Sequence, residues 1–343
     1  MSTLGLQIGS AAMAFLLAWL LAELVRRSAA ALNLVQVPNQ RSSHVIPTPS
    51  GGGVSIAIVG TLAGLTLAGG DAEVYFFSAI GLSALAAVMG LLDDRFELSA
   101  RLRLALQCAI VVTLVIMAGT LPPLATPFGS LPQPLVLLAL VLSGVWWVNL
   151  FNFMDGIDGI AGAEAIFVLA GAVTLGLLAP AAVSSFGTIP WWALCVGAAT
   201  AGFLVLNWPP ARIFMGDAGS NYLAVVMLAI VLSLLAAGLL NYSTAVILVA
   251  LFVTDASVTL LRRMVYRQRW FAAHRLHAYQ KLSRRWKSHQ RVTLLYAAIN
   301  IMWLYPLAYL AQFWPSLAWF AVLAAYLPMA AFCWAAGAGE PDQ

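Results

Sequence analysis

Runs of about 20 apolar residues, each closed by a short polar stretch, repeat along the chain, and that is the length a helix needs to cross a bilayer. Eleven runs are read, at 5–25, 51–69, 75–92, 104–120, 133–150, 160–178, 190–206, 221–240, 243–260, 292–312 and 316–336. An outer-membrane barrel would show short alternating segments instead, and the sequence carries none. Helices are then the spanning structures. The expected fold is all-α, a polytopic membrane protein of eleven transmembrane helices in a single domain over residues 1–343. The first run is too long and too weakly flanked for a cleaved signal peptide.

The polar connections alternate between two sides. Loops 26–50, 93–103, 150–159, 207–220 and 261–291 hold all 17 Lys and Arg residues. By the positive-inside rule those loops face the cytoplasm, with the N-terminus outside and the C-terminus inside. Composition agrees, with 62% hydrophobic and only 9% charged residues. The net charge of +4 is therefore a topology signal, and no nucleic-acid signature is present. Cys108, Cys195 and Cys333 lie inside apolar runs and read as small buried hydrophobes. The connections on the opposite side are short turns rich in Pro, Gly, Ser and Thr.

Candidate chemistry collects on the basic side. The first loop carries Arg41 and His44, then glycines 51, 52 and 53 opening a span. Backbone N–H groups of such a run can cradle a phosphate, although a plain linker has the same composition. The second loop opens on Asp93 and Asp94, adjacent carboxylates whose repulsion a cation would relieve. The third gathers Asn149, Asn152, Asp155, Gly156, Asp158 and Gly159 directly after Trp146 and Trp147. Polar residues there lean toward function, with a helix-ending turn as the alternative. The fourth holds Arg212 and then Asp217 between Gly216 and Gly219, where an N-cap by Asp217 or Ser220 is the simpler reading. The fifth carries ten of the basic residues, from Arg262 to Arg291, and includes His274, Arg275 and His277. The two histidines share a face if helical, and an amphipathic helix lying on anionic lipid is the alternative. Carboxylates suited to Mg²⁺ beside a basic loop suited to phosphates suggest phosphoryl transfer to or from a lipid.

With these motifs in this order, the chain resembles the polyprenyl-phosphate N-acetylhexosamine-1-phosphate transferases. The resemblance spans nearly the whole chain. Its anchors are Asp93 and Asp94, the 149–159 stretch, the 211–220 stretch and the histidine-containing basic loop. It implies transfer of a sugar-1-phosphate from a UDP-sugar to undecaprenyl phosphate at the cytoplasmic face of a bacterial inner membrane, by a protein embedded in lipid, with a homodimer as one open assembly. It implies Mg²⁺, with Mn²⁺ as substitute, on Asp217 with Asp93 and Asp94. Asp93 and Asp94 are the catalytic pair near the attacking lipid phosphate. Asn152, Asp155 and Asp158 line the nucleotide-sugar pocket, with Arg212 and Arg275 beside it. His274 and His277 contact the diphosphate. Arg41, His44, Gly51 and Gly52 lie near the lipid phosphate.

The branch making the peptidoglycan lipid precursor carries three consecutive histidines in the fifth loop. This chain has His274 and His277 separated by Arg275 and Leu276, closer to the branch that starts O-antigen, the lipopolysaccharide polysaccharide of the cell envelope. UDP-GlcNAc and UDP-N-acetylfucosamine are the candidate donors. Two other readings compete. A membrane prenyltransferase would use Asp93, Asp94 and Glu97 on a prenyl diphosphate. A transporter would use Glu23, Glu164 and Asp255 within its spans.

Overall fold

The computed structural model describes residues 3–32, 34–36, 47–68, 74–126, 129–179, 187–268 and 274–341. Arg41 and His44 lie outside them. The helices in chain order are α1 (Thr3–Ser28), α2 (Val54–Leu67), α3 (Val74–Phe96), α4 (Ala100–Met117), α5 (Gln133–Met154), α6 (Ile160–Leu177), α7 (Ile189–Asn207), α8 (Asp217–Ala236), α9 (Tyr242–Leu248), α10 (Ala250–Val265), α11 (Ala278–Trp286), α12 (His289–Ile299), α13 (Tyr305–Phe313) and α14 (Ala318–Ala335). Two small antiparallel ladders, Val35–Gln36 with Thr48–Pro49 and Ala125–Thr126 with Gly129–Ser130, sit in the connections. The protein is an all-α, multi-pass membrane protein.

Each expected span has a helix, with physically interpretable departures. Among the described residues nine helices are long and apolar enough to cross a bilayer, and α9 with α10, bent by 70°, makes a tenth. The second expected span is only the 14 residues of α2, too short to count among these, because Gly52 and Gly53 before it are bonded to the fourth loop, as described below. The eighth begins at Asp217 rather than 221, one turn earlier. The tenth combines α12 and α13 through a π-turn, Asn300–Leu304. Pro306 follows it, and a proline inside a helix removes one ladder donor and crowds the preceding turn; the π-turn takes up that mismatch.

Packing follows membrane rules, in which close approach rather than water exclusion drives association. Ala14, Ala18 and Ala22 of α1 are buried, and α1 lies along α7, where Gly202 abuts the Phe15 carbonyl. Helix α8 is the central post, with Tyr222, Leu223, Val226 and Ile230 fully buried. Large apolar side chains such as Leu20, Phe77, Leu138 and Phe320 face outward, as lipid-facing positions should.

The connections on the basic side meet one another at one end of the bundle. At the other end Tyr242 Oη donates to the Pro122 carbonyl (2.8 Å) and Asn241 N to Gln312 Oε1 (3.1 Å).

Candidate active site

The first and fourth loops are stitched together. Phe214 N donates to the Pro49 carbonyl, Gly52 N to Phe214 O and Gly53 N to Met215 O, at 2.8 to 2.9 Å. The N–H groups of Gly52 and Gly53 are therefore committed to the protein backbone, which corrects their reading as a free phosphate cradle. What these glycines supply is proximity: a Cβ on Gly53 would run into the Gly219 backbone. On α3, Gly90 serves the same purpose. A Cβ there would strike the Asp217 carbonyl, so only glycine lets α3 bring its acidic end against the start of α8.

At that crossing Asp94 caps α8 from outside its own chain segment. Its Oδ2 accepts from Asp217 N at 3.0 Å and Oδ1 at 3.3 Å. A carboxylate at a helix N-terminus is favoured by the exposed donors and the dipole. Asp93 points into the α3–α4 turn, with Oδ1 accepting from Leu98 N (2.8 Å) and Oδ2 from Arg103 Nη1 (2.7 Å). The two acids thus differ in their other partners: Asp93 is buried and paired with Arg103, Asp94 caps α8, and both lie against the Asp217 side chain. Asn152 hydrogen-bonds the Asp217 side chain, tying the third loop to the fourth.

Asp155 follows the last residue of α5. Burial, and then the carboxylates of Asp217, Asp158 and Asp94, push its pKa well above the ordinary carboxylate range. Four acids therefore converge. Asp158 Oδ2 accepts from Ala211 N (3.0 Å), and Oδ1 lies 3.1 Å from His289 Nδ1. Gly159, at φ +76°, turns the chain into α6. Its N–H donates to Asn207 Oδ1 (3.0 Å), and Asn207 Nδ2 donates onward to Ile213 O (2.9 Å).

His274 and His277 come together, but not on a helix. They precede α11, their rings stacked at 4.9 Å, and His277 is the α11 N-cap. Asp255 organises this segment. It is fully buried, accepts from Ala278 N (2.8 Å), Tyr279 N (3.1 Å) and Tyr296 Oη (2.8 Å), and sits 3.5 Å from the His277 ring. The His274 pKa is lowered to about 3 by burial, then by His277 and Arg263, so at neutral pH it is an uncharged ligand or donor. Tyr279 joins this segment to the third loop by donating to Phe153 O (2.8 Å), and a Cβ on Gly156 would collide with its hydroxyl. Burial, Asp255 and Asp155 hold the Tyr279 pKa well above 10, so it stays a donor.

Beside these acids opens a cavity of about 540 Å³ lined by Asp158, Pro209, Pro210, Arg275, Arg284, Lys287 and His289, among others. Three cations and a histidine around one carboxylate give it a mainly positive lining, the chemistry that suits an anionic ligand.

Among known proteins, the sequence matches Glycosyl transferase family 4 over residues 76–235. It is 27% identical over 281 residues to a probable undecaprenyl-phosphate N-acetylglucosaminyl 1-phosphate transferase of Bacillus subtilis, covering 81% of this chain and 78% of that one. It is 30% identical over 313 residues to a decaprenyl-phosphate N-acetylglucosaminephosphotransferase of Mycobacterium tuberculosis, covering 79% and 74%. The chain belongs to the polyprenyl-phosphate N-acetylhexosamine-1-phosphate transferase family. A third relative, the undecaprenyl-phosphate alpha-N-acetylglucosaminyl 1-phosphate transferase of Escherichia coli K12, is 30% identical over 238 residues, covering 64% of this chain and 60% of its own.

As a member of this transferase family, the chain is an enzyme rather than a transporter, and the transporter residues have structural partners. Glu23 pairs with Arg26 and Arg27, Glu164 accepts from Asn300 Nδ2 at 2.6 Å, and Asp255 caps α11. Of the expected transferase residues, Asp94, Asp155, Asp158 and Asp217 form the acidic group, and Asn152 and Asp93 hydrogen-bond the Asp217 side chain. Gly51 packs against Gly216. Arg275 lines the cavity. Arg212 is the outlier: its exposed guanidinium lies 3.4 Å from the Val205 carbonyl. His289 was not singled out by sequence, since a histidine in a basic stretch carries no local signal until Asp158 is brought to it.

No three His, Cys, Asp or Glu side chains among the described residues form a ready-made metal cage. The donor chemistry still fits a hard cation. Carboxylate oxygens converge, and adjacent buried carboxylates set up a repulsion that a divalent ion would relieve.

Proposed function

We propose that this enzyme transfers a HexNAc-1-phosphate from a UDP-sugar to undecaprenyl phosphate, releasing UMP, on the cytoplasmic face of a bacterial inner membrane. The observation that carries the reading is the convergence of Asp94, Asp155, Asp158 and Asp217 beside a cationic cavity at the end of the bundle where the basic loops meet. Acids alone would repel a diphosphate and cations alone would not organise a displacement; together they suit diphosphate chemistry.

In this reading Arg275, Arg284, Lys287 and His289 receive the UDP moiety, and Asp158 faces it from the acidic side. Asp217 and Asp94, with Asp93 adjoining, would hold Mg²⁺ or Mn²⁺. The ion when bound neutralises charge on the diphosphate. A phosphate monoester has a second pKa of about 6, so the lipid phosphate is largely dianionic at neutral pH. Asp93 or Asp94 orients it or takes its residual proton. One of its oxygens attacks the β-phosphorus, the bond from that phosphorus to the bridging oxygen breaks, and UMP leaves with the electron pair. His274, held neutral, donates to the diphosphate without adding charge.

The relatives named for N-acetylglucosamine support UDP-GlcNAc as donor. The separated His274 and His277 support initiation of a surface polysaccharide such as O-antigen, with UDP-N-acetylfucosamine as the second donor to test. The experiment is product analysis with purified protein, undecaprenyl phosphate and each UDP-sugar in turn. Release of UMP dependent on Mg²⁺ or Mn²⁺ is expected. Release of UDP would overturn the reading, because it means attack at the sugar carbon.

A further inference from the structure

The segment following α14 turns back beneath the histidine loop. Gly337 and Gly339 both have positive φ, +82° and +75°, and these two turns reverse the chain. Gly339 N then donates to the Leu276 carbonyl at 2.8 Å, between His274 and His277. The Gly339 carbonyl accepts from Gln268 Nε2 (3.1 Å), and Gln268 Oε1 accepts from Arg263 Nε (3.3 Å). Glu340 closes the arrangement through an ion pair with Arg262. Arg262 is itself buried, lies 4.0 Å over the Trp334 ring and donates to the Trp334 carbonyl (3.2 Å). Ala338 is fully buried and packs with Ala278 and Cys333.

We propose that residues 336–341 are a brace that positions His274 and His277 for the reaction, with Glu340 and Arg262 as its lock. The reasoning is one of constraint. The histidine segment is not helical, so no backbone ladder of its own fixes it. Asp255 holds it from the α11 side through Ala278 and Tyr279 and by the His277 ring. On the Leu276 side the brace supplies a backbone hydrogen bond. Gly339 fits only without a side chain, since a Cβ there would press on the Thr259 carbonyl at 2.7 Å. Glu340 touches no reacting group; it acts through Arg262 and the Leu276 carbonyl, and is a positioning residue.

The brace is tested by hydrogen exchange and kinetics on the full-length protein carrying Glu340→Ala, Glu340→Asp or Gly339→Ala. Its effect on turnover rests on the function proposed above; its effect on exchange does not. Glu340→Ala and Gly339→Ala are expected to speed exchange in residues 274–281 while leaving 217–236 unchanged. They should lower kcat about tenfold or more, as small misplacement of a catalytic group does, with KM changed by about twofold or less. Glu340→Asp keeps the charge and should recover part of both. Unchanged exchange in 274–281 overturns the brace, as does faster exchange spread evenly over 217–265, which means general loosening. If the wild type releases no UMP, the proposed reaction fails while exchange still decides the brace.

Discussion

The Asp94 carboxylate receives the backbone N–H of Asp217 on both oxygens, at 3.0 and 3.3 Å. Two acids 123 positions apart in sequence thereby share one helix end. The capping acid is held where the Asp217 side chain also emerges, so the helix cap and the candidate metal site are one structure. Asparagine keeps an oxygen for the cap and loses the charge. Asp94→Asn should cost under about 1 kcal/mol of stability yet lower UMP release about 100-fold or more, the scale of losing one electrostatic group from a preorganised site. Asp217→Asn should match it, and Glu23→Gln should leave activity intact. Wild-type turnover in either aspartate variant would remove that residue from the site.

His274 gives a pH signature. Its pKa falls from the ordinary 6.5 to about 3 on burial against His277 and Arg263. The unfolded chain therefore binds a proton over that window and the folded one does not, so stability rises with pH across it. The contribution is fully present above about 6.5 and is lost as pH falls toward 3. Thermal midpoints should drop between pH 7 and pH 5, and His274→Gln should shallow that drop. An unchanged slope in the variant would show that His274 does not sense its surroundings this way.

The spans and the grouping of loops were legible because a 20-residue apolar run and the sidedness of Lys and Arg are properties of sequence itself. The acidic residues were legible for the same reason, since Asp155 and Asp217 are conspicuous at membrane-buried helix ends. What they do locally was not. That Asp94 caps α8 depends on Gly90 meeting the Asp217 carbonyl, a contact between helices. That Gly52 and Gly53 spend their N–H groups on Phe214 and Met215 depends on two loops meeting. The break at Val249 contains neither Pro nor Gly, so no local residue announces it. His289 gains meaning only from Asp158.

Asn207 is the joint between the third and fourth loops. It accepts from Gly159 N and donates to Ile213 O while almost fully buried. Asn207→Leu has similar volume and leaves both backbone groups unsatisfied, at about 1–3 kcal/mol each. A loss of about 2–4 kcal/mol overall is expected, read as a lower thermal midpoint, with activity falling as Asp158 and Asp217 lose their shared reference. Asn207→Asp keeps the acceptor alone and should fall between. A leucine variant as stable as wild type would show the joint to be dispensable.

Sidedness is open to direct chemistry. In a background without Cys108, Cys195 and Cys333, one cysteine replaces Ser130 and another, separately, replaces Arg285; both positions are exposed and lie at opposite ends of the bundle. An impermeant thiol reagent added to intact cells should label the Ser130 position and reach Arg285 only after permeabilisation. Labelling of the Arg285 position from outside would put the catalytic loops on the wrong face for a nucleotide-sugar donor.

His289 tests whether the cationic cavity is the donor site. Its ring sits 3.1 Å from Asp158 Oδ1, and Asp158 also holds the fourth loop through Ala211 N, so the histidine fixes which way that carboxylate faces. It lines the cavity with Arg275, Arg284 and Lys287, yet stands apart from the Asp94–Asp217 pair. Removing it should therefore weaken donor binding more than it slows the chemical step. His289→Ala is expected to raise KM for the UDP-sugar about tenfold, the worth of one hydrogen bond to a charged group, with kcat and the KM for undecaprenyl phosphate little changed. Lys287→Ala should act in the same direction on the donor alone. If either variant instead raised KM for the lipid phosphate and spared the donor, the cavity would belong to the acceptor, and the two substrates would have to exchange places around the acidic group.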